Sequence, residues 1–394
     1  MKQLLTVIII AISSLTAMGQ VAFFEGTWEE AFAKAEETGK HVFVDAYTDW
    51  CYWCKVMDKE TFTDEAIAAY LNEEFIPIKV DMEKGFGKNA ALKYRVTGFP
   101  TVLYFNPQGE LLEKKPGFEA DNSKFLAHLE EIRADKREKV FGFDSQDFDI
   151  DYPYFLEDRF GLNGERKRAN KDTVNMWLDA QDDLFTEAAW TVMTKLGADK
   201  KYQKHILENG KKYADMFGAG EYDEVVTSAV YGKVRQAGKD KDQSMFDEAL
   251  AMLDKHLMDK ESVADYKNNF EMSFLQATEN WEAYTMKADA ELKKKSLEDQ
   301  VGLANSVAWT LYEKCEDPKC LKIMEEWMAK VIELDPEYAY LDTYAALLYK
   351  NGDYPKAKKY AMEAIEVGKE EESNVEDTEG LLEKIEASMD DDGK

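Results

Sequence analysis

Three short runs stand out as mainly hydrophobic. His41-Val-Phe-Val-Asp-Ala-Tyr47 is an apolar run rich in β-branched and aromatic residues, which predicts a buried strand. Phe75 to Val80 reads as a further strand and Val102 to Phe105 as the next, and Asn106-Pro-Gln-Gly109 after the latter supplies a hairpin turn. Helical patterns lie between and around them. Residues 21–40 hold an amphipathic helix entered at Thr27-Trp28-Glu29-Glu30 and stopped at Thr38-Gly39. Lys55 to Phe62 is helix-compatible, and Lys124 to Arg137 predicts a closing helix. From Phe141 to Gly164 the periodicity fails, so residues 139–170 read as a linker, although Tyr152-Pro153-Tyr154-Phe155 is too apolar to stay free of a packing partner.

From about Lys171 the strand signal disappears. Apolar residues recur at helical spacing, as in Phe246, Leu250, Leu253 and Leu257, or Val301, Ala304, Val307, Ala308 and Leu311. Breaks near Gly197, Gly218 to Gly220, Gly238 and Asn351-Gly352 predict nine or ten helices in antiparallel hairpins over 171–390. Trp177, Trp190, Trp281, Trp309 and Trp327 fall within these periods and read as core. Over residues 334–368, Leu341, Tyr344-Ala345, Leu348, Gly352-Asp-Tyr354, Ala357 and Ala364 have a spacing that resembles a tetratricopeptide unit, with Leu334-Asp335-Pro336 closing the helix before it. An irregular helical bundle is the alternative.

Composition narrows the partners. The 394 residues carry 50 Lys plus Arg against 79 Asp plus Glu, a net charge of −29. Such a surface repels phosphate backbones and anionic lipid, so nucleic acid and membrane surfaces are poor partners. Residues 1–19 show a short positive start, an apolar run from Leu4 to Ala17, and Ala17-Met18-Gly19. That is the pattern of a cleaved signal peptide, and it predicts a secreted, periplasmic protein.

The cysteines then point to chemistry. Cys51-Tyr52-Trp53-Cys54 follows the first strand and opens a helix. At a helix start, unpaired N–H groups and the helix dipole stabilise the first thiolate, lowering it below the free value of about 8.5. Cys54, one turn on and less exposed, is placed to resolve a mixed disulfide. A zinc site needs two further ligands, and the four histidines are scattered singly. Cys315 and Cys320 flank Glu-Asp-Pro-Lys at a helix–helix turn and are expected to bridge it as a staple in an oxidising compartment, an exchanging pair being the other possibility.

DAYTDWCYWCK (Asp45–Lys55), Lys79-Val-Asp81 and Thr97-Gly-Phe-Pro-Thr101 together resemble the thioredoxin-like family, in its exported bacterial form with a WCxxCK motif. The resemblance covers about residues 25–135. It implies an α/β thioredoxin fold over 20–138, a mixed sheet with flanking helices, followed by the all-α, tetratricopeptide-like domain. It also implies Cys51 as attacking thiol, Cys54 as resolving thiol, Asp45 as buried proton relay and Lys79 as its charge partner. Pro100 resembles the family's cis-proline, and Phe99 would offer its backbone to an extended client strand. Asp45 as a satisfied strand-end carboxylate and Lys79 as a surface residue remain alternatives.

Tyr52-Trp53 replaces the Gly-Pro of ordinary thioredoxin. With no histidine or cation there to stabilise the thiolate, reductase or isomerase is favoured over oxidase. Trp50, Tyr52 and Trp53 are candidates for client contact or merely apolar rim. The expected function is therefore a secreted thiol–disulfide oxidoreductase acting on protein disulfides. It would need no cofactor, draw electrons from an upstream dithiol donor, and have a helical domain able to recruit a protein partner. The rival is a helical adaptor with a docking module whose Cys51–Cys54 disulfide is static.

Overall fold

The computed structural model describes residues 19–134 and 143–392. The leader read over residues 1–19 thus lies outside the described residues, Gly19 excepted. The chain divides into two compact units, one ending at Val225 and the other beginning at Val226.

In the first unit four strands, β1 (His41–Tyr47), β2 (Phe75–Asp81), β3 (Thr101–Phe105) and β4 (Leu111–Pro116), form one sheet in the order β2-β1-β3-β4. β1 pairs parallel with β2 and antiparallel with β3, and β3 pairs antiparallel with β4. Helices α1 (Trp28–Thr38), α2 (Tyr52–Glu60), α3 (Glu65–Glu74), α4 (Gly87–Lys93) and α5 (Asn122–Ala134) flank it. This is a thioredoxin fold.

Local chemistry explains the boundaries. Thr27 and Glu30 make a reciprocal capping box at the start of α1, and Gly39, at φ 68°, takes the left-handed conformation that ends it. On one face of the sheet Phe43, Phe75 and Tyr104 pack with Ile67 and Leu71 of α3 and Phe125 and Leu129 of α5. Covered on both faces, β1 is buried along six of its seven residues, hence its mainly apolar sequence.

The first unit continues past the 171 boundary suggested by periodicity. It takes in α6 (Tyr154–Phe160), α7 (Lys171–Asp179), α8 (Glu187–Lys195), α9 (Lys200–Glu208), α10 (Gly210–Phe217) and the start of α11 (Ala219–Asp240). Packing begins within the stretch read as linker: Phe155 and Leu156 are buried, and Trp28 donates its indole N–H to Gln146 at 3.0 Å. A buried ion network does the rest. Glu221 receives Arg95 at 2.7 Å, Lys114 at 2.6 Å and the Trp190 indole N–H at 2.9 Å, while Glu187 receives Lys93 at 3.0 Å. Burial pushes the Glu221 carboxyl up, but Arg95 and Lys114 hold it down at about 2.

The second unit is built from α12 (Gln243–His256), α13 (Val263–Ala277), α14 (Trp281–Leu292), α15 (Val301–Lys314), α16 (Pro318–Leu334), α17 (Tyr338–Lys350), α18 (Tyr354–Glu370) and α19 (Glu376–Asp392), with successive helices packed on one another. Ala345 and Ala357 are fully buried where α17 meets α18, and Gly352, at φ 82°, makes the tight turn between them. Counting from Lys171, thirteen helices appear among the described residues, more than the nine or ten expected. The excess comes from α7 to α10, which are only eight or nine residues each. Among the tryptophans, Trp190 is fully buried but Trp309 is 37% exposed. Trp309 sits off the Val307–Leu311 stripe that faces the core.

Candidate active site

The end of β1 and the start of α2 bring Cys51 and Cys54 together in a disulfide, with Cα atoms 5.3 Å apart. Cys51 is the N-cap of α2, and its sulfur accepts the Cys54 N–H at 3.0 Å. Both cysteines are only 3% exposed, so Cys54 is no more sheltered than Cys51, contrary to the expectation from sequence. The bulk around them accounts for this. The exposed surface at this helix end belongs to Trp50, Tyr52 and Trp53, at 63%, 68% and 52%.

Two of these rings are anchored. Trp50 meets Phe99 edge-on at 5.9 Å and donates its indole N–H to Glu83 at 2.8 Å. Trp53 stacks on Phe118 at 5.4 Å. The Phe99–Pro100 bond is cis, and Pro100 is buried. Neither the N–H nor the C=O of Phe99 makes a hydrogen bond among the described residues.

Beneath this surface lies a carboxylate–ammonium–carboxylate group. Strand register places Asp45 of β1 opposite Lys79 of β2, and the Lys79 ammonium is 3.0 Å from Asp45 Oδ2. Lys79 also contacts Asp58 of α2. Asp45 is 1% exposed, and its Oδ1 is buried with no hydrogen-bond partner among the described residues. Burial raises the Asp45 carboxyl to about 6, against the attraction of Lys79. Lys79 is itself penalised by burial, yet Asp45 and Asp58 together hold it above the ordinary lysine value. A buried carboxyl raised this far beside a fixed cation can take up and release a proton closer to neutral pH than an ordinary aspartate.

Sequence reasoning missed Asp58, Glu83 and Phe118. Asp58 carried a usable signal, four residues beyond Cys54 on the same helix and so on its face. Glu83 and Phe118 carried none, because turns bring them in from distant positions.

Cys315 and Cys320 correct another expectation. They do not bridge the α15–α16 turn; both are free, buried thiols. Cys315 caps the end of α15 and accepts the Asp317 N–H at 3.4 Å, while Cys320 lies in the first turn of α16. Both belong to the apolar core of the second unit. Burial raises the Cys320 thiol, and the neighbouring Cys315 and Asp317 add to that against an opposing hydrogen bond with Thr285.

Part of the chain is similar to known proteins. Residues 20–130 match a family designated Thioredox_DsbH, described as a protein of unknown function, DUF255. The thiol:disulfide interchange protein DsbD of Yersinia pestis is 35% identical over 104 residues, 25% of this chain and 17% of its own length. DsbD of Actinobacillus pleuropneumoniae is 36% identical over 97 residues, 24% and 16% of the two chains. The chain thus spans about a sixth of the length of these relatives. A Bacteroides thetaiotaomicron chain provisionally titled a disulphide isomerase is 35% identical, covering 31% of this chain and all of that one, with a TM-score of 0.28. Residues 20–130 are thus thioredoxin-like and similar to DsbH-type and DsbD sequences.

Proposed function

We propose that the protein is a secreted, periplasmic thiol–disulfide oxidoreductase that reduces or isomerises protein disulfides. The observation that carries the reading is the Cys51–Cys54 disulfide capping α2, set in a DsbD/DsbH-type domain with the Asp45–Lys79 pair behind it. In the reduced protein the Cys51 thiolate attacks a client disulfide. One client sulfur bonds to Cys51 and the other leaves as a thiolate. Cys54 then gives its proton to Asp45 and attacks the mixed disulfide, releasing the second client thiol and regenerating Cys51–Cys54. The client loses one disulfide, the protein gains one, and an upstream dithiol returns the two electrons. Phe99, with its backbone groups unpaired, is suited to pair with the client strand at Pro100, and Trp50, Tyr52 and Trp53 supply apolar contact. The helical region, tetratricopeptide-like over 334–368, is the candidate surface for a protein partner.

A trap tests this. Cys54→Ala, expressed in its host, is expected to accumulate intermolecular disulfides at Cys51, identified by mass spectrometry and absent from Cys51→Ala/Cys54→Ala. An empty trap defeats the exchange reading. The 3% exposure of both cysteines favours a second reading, an adaptor whose disulfide is static. That reading requires Cys51–Cys54 to survive a dithiol that reduces exposed disulfides.

A further inference from the structure

The chain builds its positive charge almost wholly from lysine: only seven of its 50 basic residues are arginines. Three of those seven, Arg159, Arg166 and Arg168, line one pocket of about 460 Å³ in the first unit, joined by Lys167 and Lys195. No acidic residue lines it. Along the chain, residues 159–171 hold five cations against the single Glu165, within a protein of net charge −29.

Partners outside the pocket account for three of its five charges. Arg166 pairs with Glu83 at 3.1 Å, Lys167 with Asp158 at 3.7 Å and Lys195 with Glu224 at 3.3 Å. Arg159 and Arg168 are exposed, and their guanidinium groups make no ion pair or hydrogen bond among the described residues. Two unengaged guanidinium groups in one concave site suit a carboxylate or phosphate held through paired N–H donors, which lysine cannot offer.

The pocket is also wired to the redox site. Glu83 takes Arg166 on Oε1 and the Trp50 indole on Oε2, and Trp50 adjoins Cys51 and touches Phe99. Whatever occupies the basic pocket therefore borders the surface that would hold a client.

We propose that this pocket recognises a short acidic segment of the client protein, its carboxylates bound by Arg159 and Arg168 while the client's disulfide lies over Cys51. The use of the pocket rests on the exchange reading; its affinity for carboxylates does not. Scale favours a short segment over an extended polyanion. Screening confines the local positive field to about 8 Å at physiological salt, and the acidic remainder repels a long chain of negative charge.

The test uses the full-length protein and two synthetic disulfide-bonded peptides differing only in a flank of four Glu or four Gln. Binding is read by fluorescence anisotropy on Cys51→Ala/Cys54→Ala, which cannot exchange. Turnover is read as reduction by the wild type. The Glu peptide is expected to bind and react about tenfold better than the Gln peptide at low salt, with the preference collapsing toward unity in 0.5 M NaCl. The preference should be lost in Arg159→Gln/Arg168→Gln and only partly kept in Arg159→Lys/Arg168→Lys, melting curves confirming that both variants fold. A ratio near one in the wild type, or one unchanged in Arg159→Gln/Arg168→Gln, overturns the proposal. So does displacement of the Glu peptide by submillimolar inorganic phosphate, which would assign the pocket to phosphate. Preferential binding of the Glu peptide with no reduction of either peptide would sink the exchange reading and leave the pocket's carboxylate preference standing.

Discussion

The chain contains two cysteine pairs at helix starts, and they are chemically opposite. Cys51 and Cys54 are bonded at the N-terminus of α2, ringed by exposed Trp50, Tyr52 and Trp53 and backed by Asp45 and Lys79. Cys315 and Cys320 straddle the start of α16 as free thiols inside an apolar core, and burial raises the Cys320 thiol. A helix N-terminus alone thus does not make a redox centre. The proposed exchange chemistry also needs a proton acceptor, and Asp45 is the candidate for the first pair, whereas the second shares its core with Met324, Leu311 and Val307.

Removing the thiols one at a time breaks this comparison most sharply. Cys51→Ala is expected to abolish disulfide exchange, a loss of about a thousandfold or more, while Cys315→Ala and Cys320→Ala leave it within twofold. Insulin reduction driven by a chemical dithiol reads both. Exchange that depended on Cys315 or Cys320 would erase the distinction.

A second test asks about ionisation. Unfolded without reductant, the protein should yield two titratable thiols; zero would mean that Cys315 and Cys320 are bridged. After reduction in the native state, Cys51, at the start of α2, should alkylate about a hundredfold faster than Cys320, whose thiol is raised and so less ionised; the two are equally exposed, at 3%. Mass spectrometry of iodoacetamide-labelled peptides over time measures the ratio.

Asp45→Asn tests the proposed proton acceptor. With its carboxyl raised from 3.8 to about 6, Asp45 favours the folded state only while protonated. That contribution is fully present below about pH 4 and is lost as pH rises through 6. Asp45→Asn should therefore stabilise the oxidised protein by up to about 3 kcal/mol at pH 8 and by almost nothing at pH 4. The same change should slow release of the mixed disulfide by about ten- to a hundredfold. Urea melts at the two pH values check the first effect, and stopped-flow turnover checks the second. Equal stabilisation at both pH values would remove Asp45 from the proton path.

What the sequence disclosed follows the same divide. The strand His41–Tyr47, the capped helix after it and the Cys51–Cys54 spacing are local patterns, and each appears where the periodicity put it. Asp45 and Lys79 were legible as a pair only through the family resemblance, because their meeting depends on the parallel register of β1 and β2. Asp58, Phe118, and the Arg95–Glu221 contact that ties α11 to the sheet unit all depend on long-range packing. Arg95 and Glu221 are 126 positions apart, and nothing in either residue's neighbourhood announces the other. The Cys315–Cys320 expectation failed for a related reason. Compartment and spacing argue for a bond, but they say nothing about how the α15–α16 turn seats the two side chains.

The smallest expected effect bears on what the second pair is for. If Cys315 and Cys320 serve as small apolar residues, replacing either should resemble any modest core truncation. Cys320→Ala is then expected to cost about 1 kcal/mol and lower the midpoint of thermal unfolding by a few degrees, at every redox poise. If the two thiols instead form a bond in the exported protein, the wild type should lose much more stability on treatment with dithiothreitol than Cys315→Ala/Cys320→Ala does. Cys51–Cys54 contributes equally to both proteins and closes too small a loop to contribute much chain entropy, so it drops out of the difference. Calorimetry of the two proteins with and without dithiothreitol therefore reads the second pair by itself. Equal shifts keep it as packing; a shift confined to the wild type makes it a structural bond.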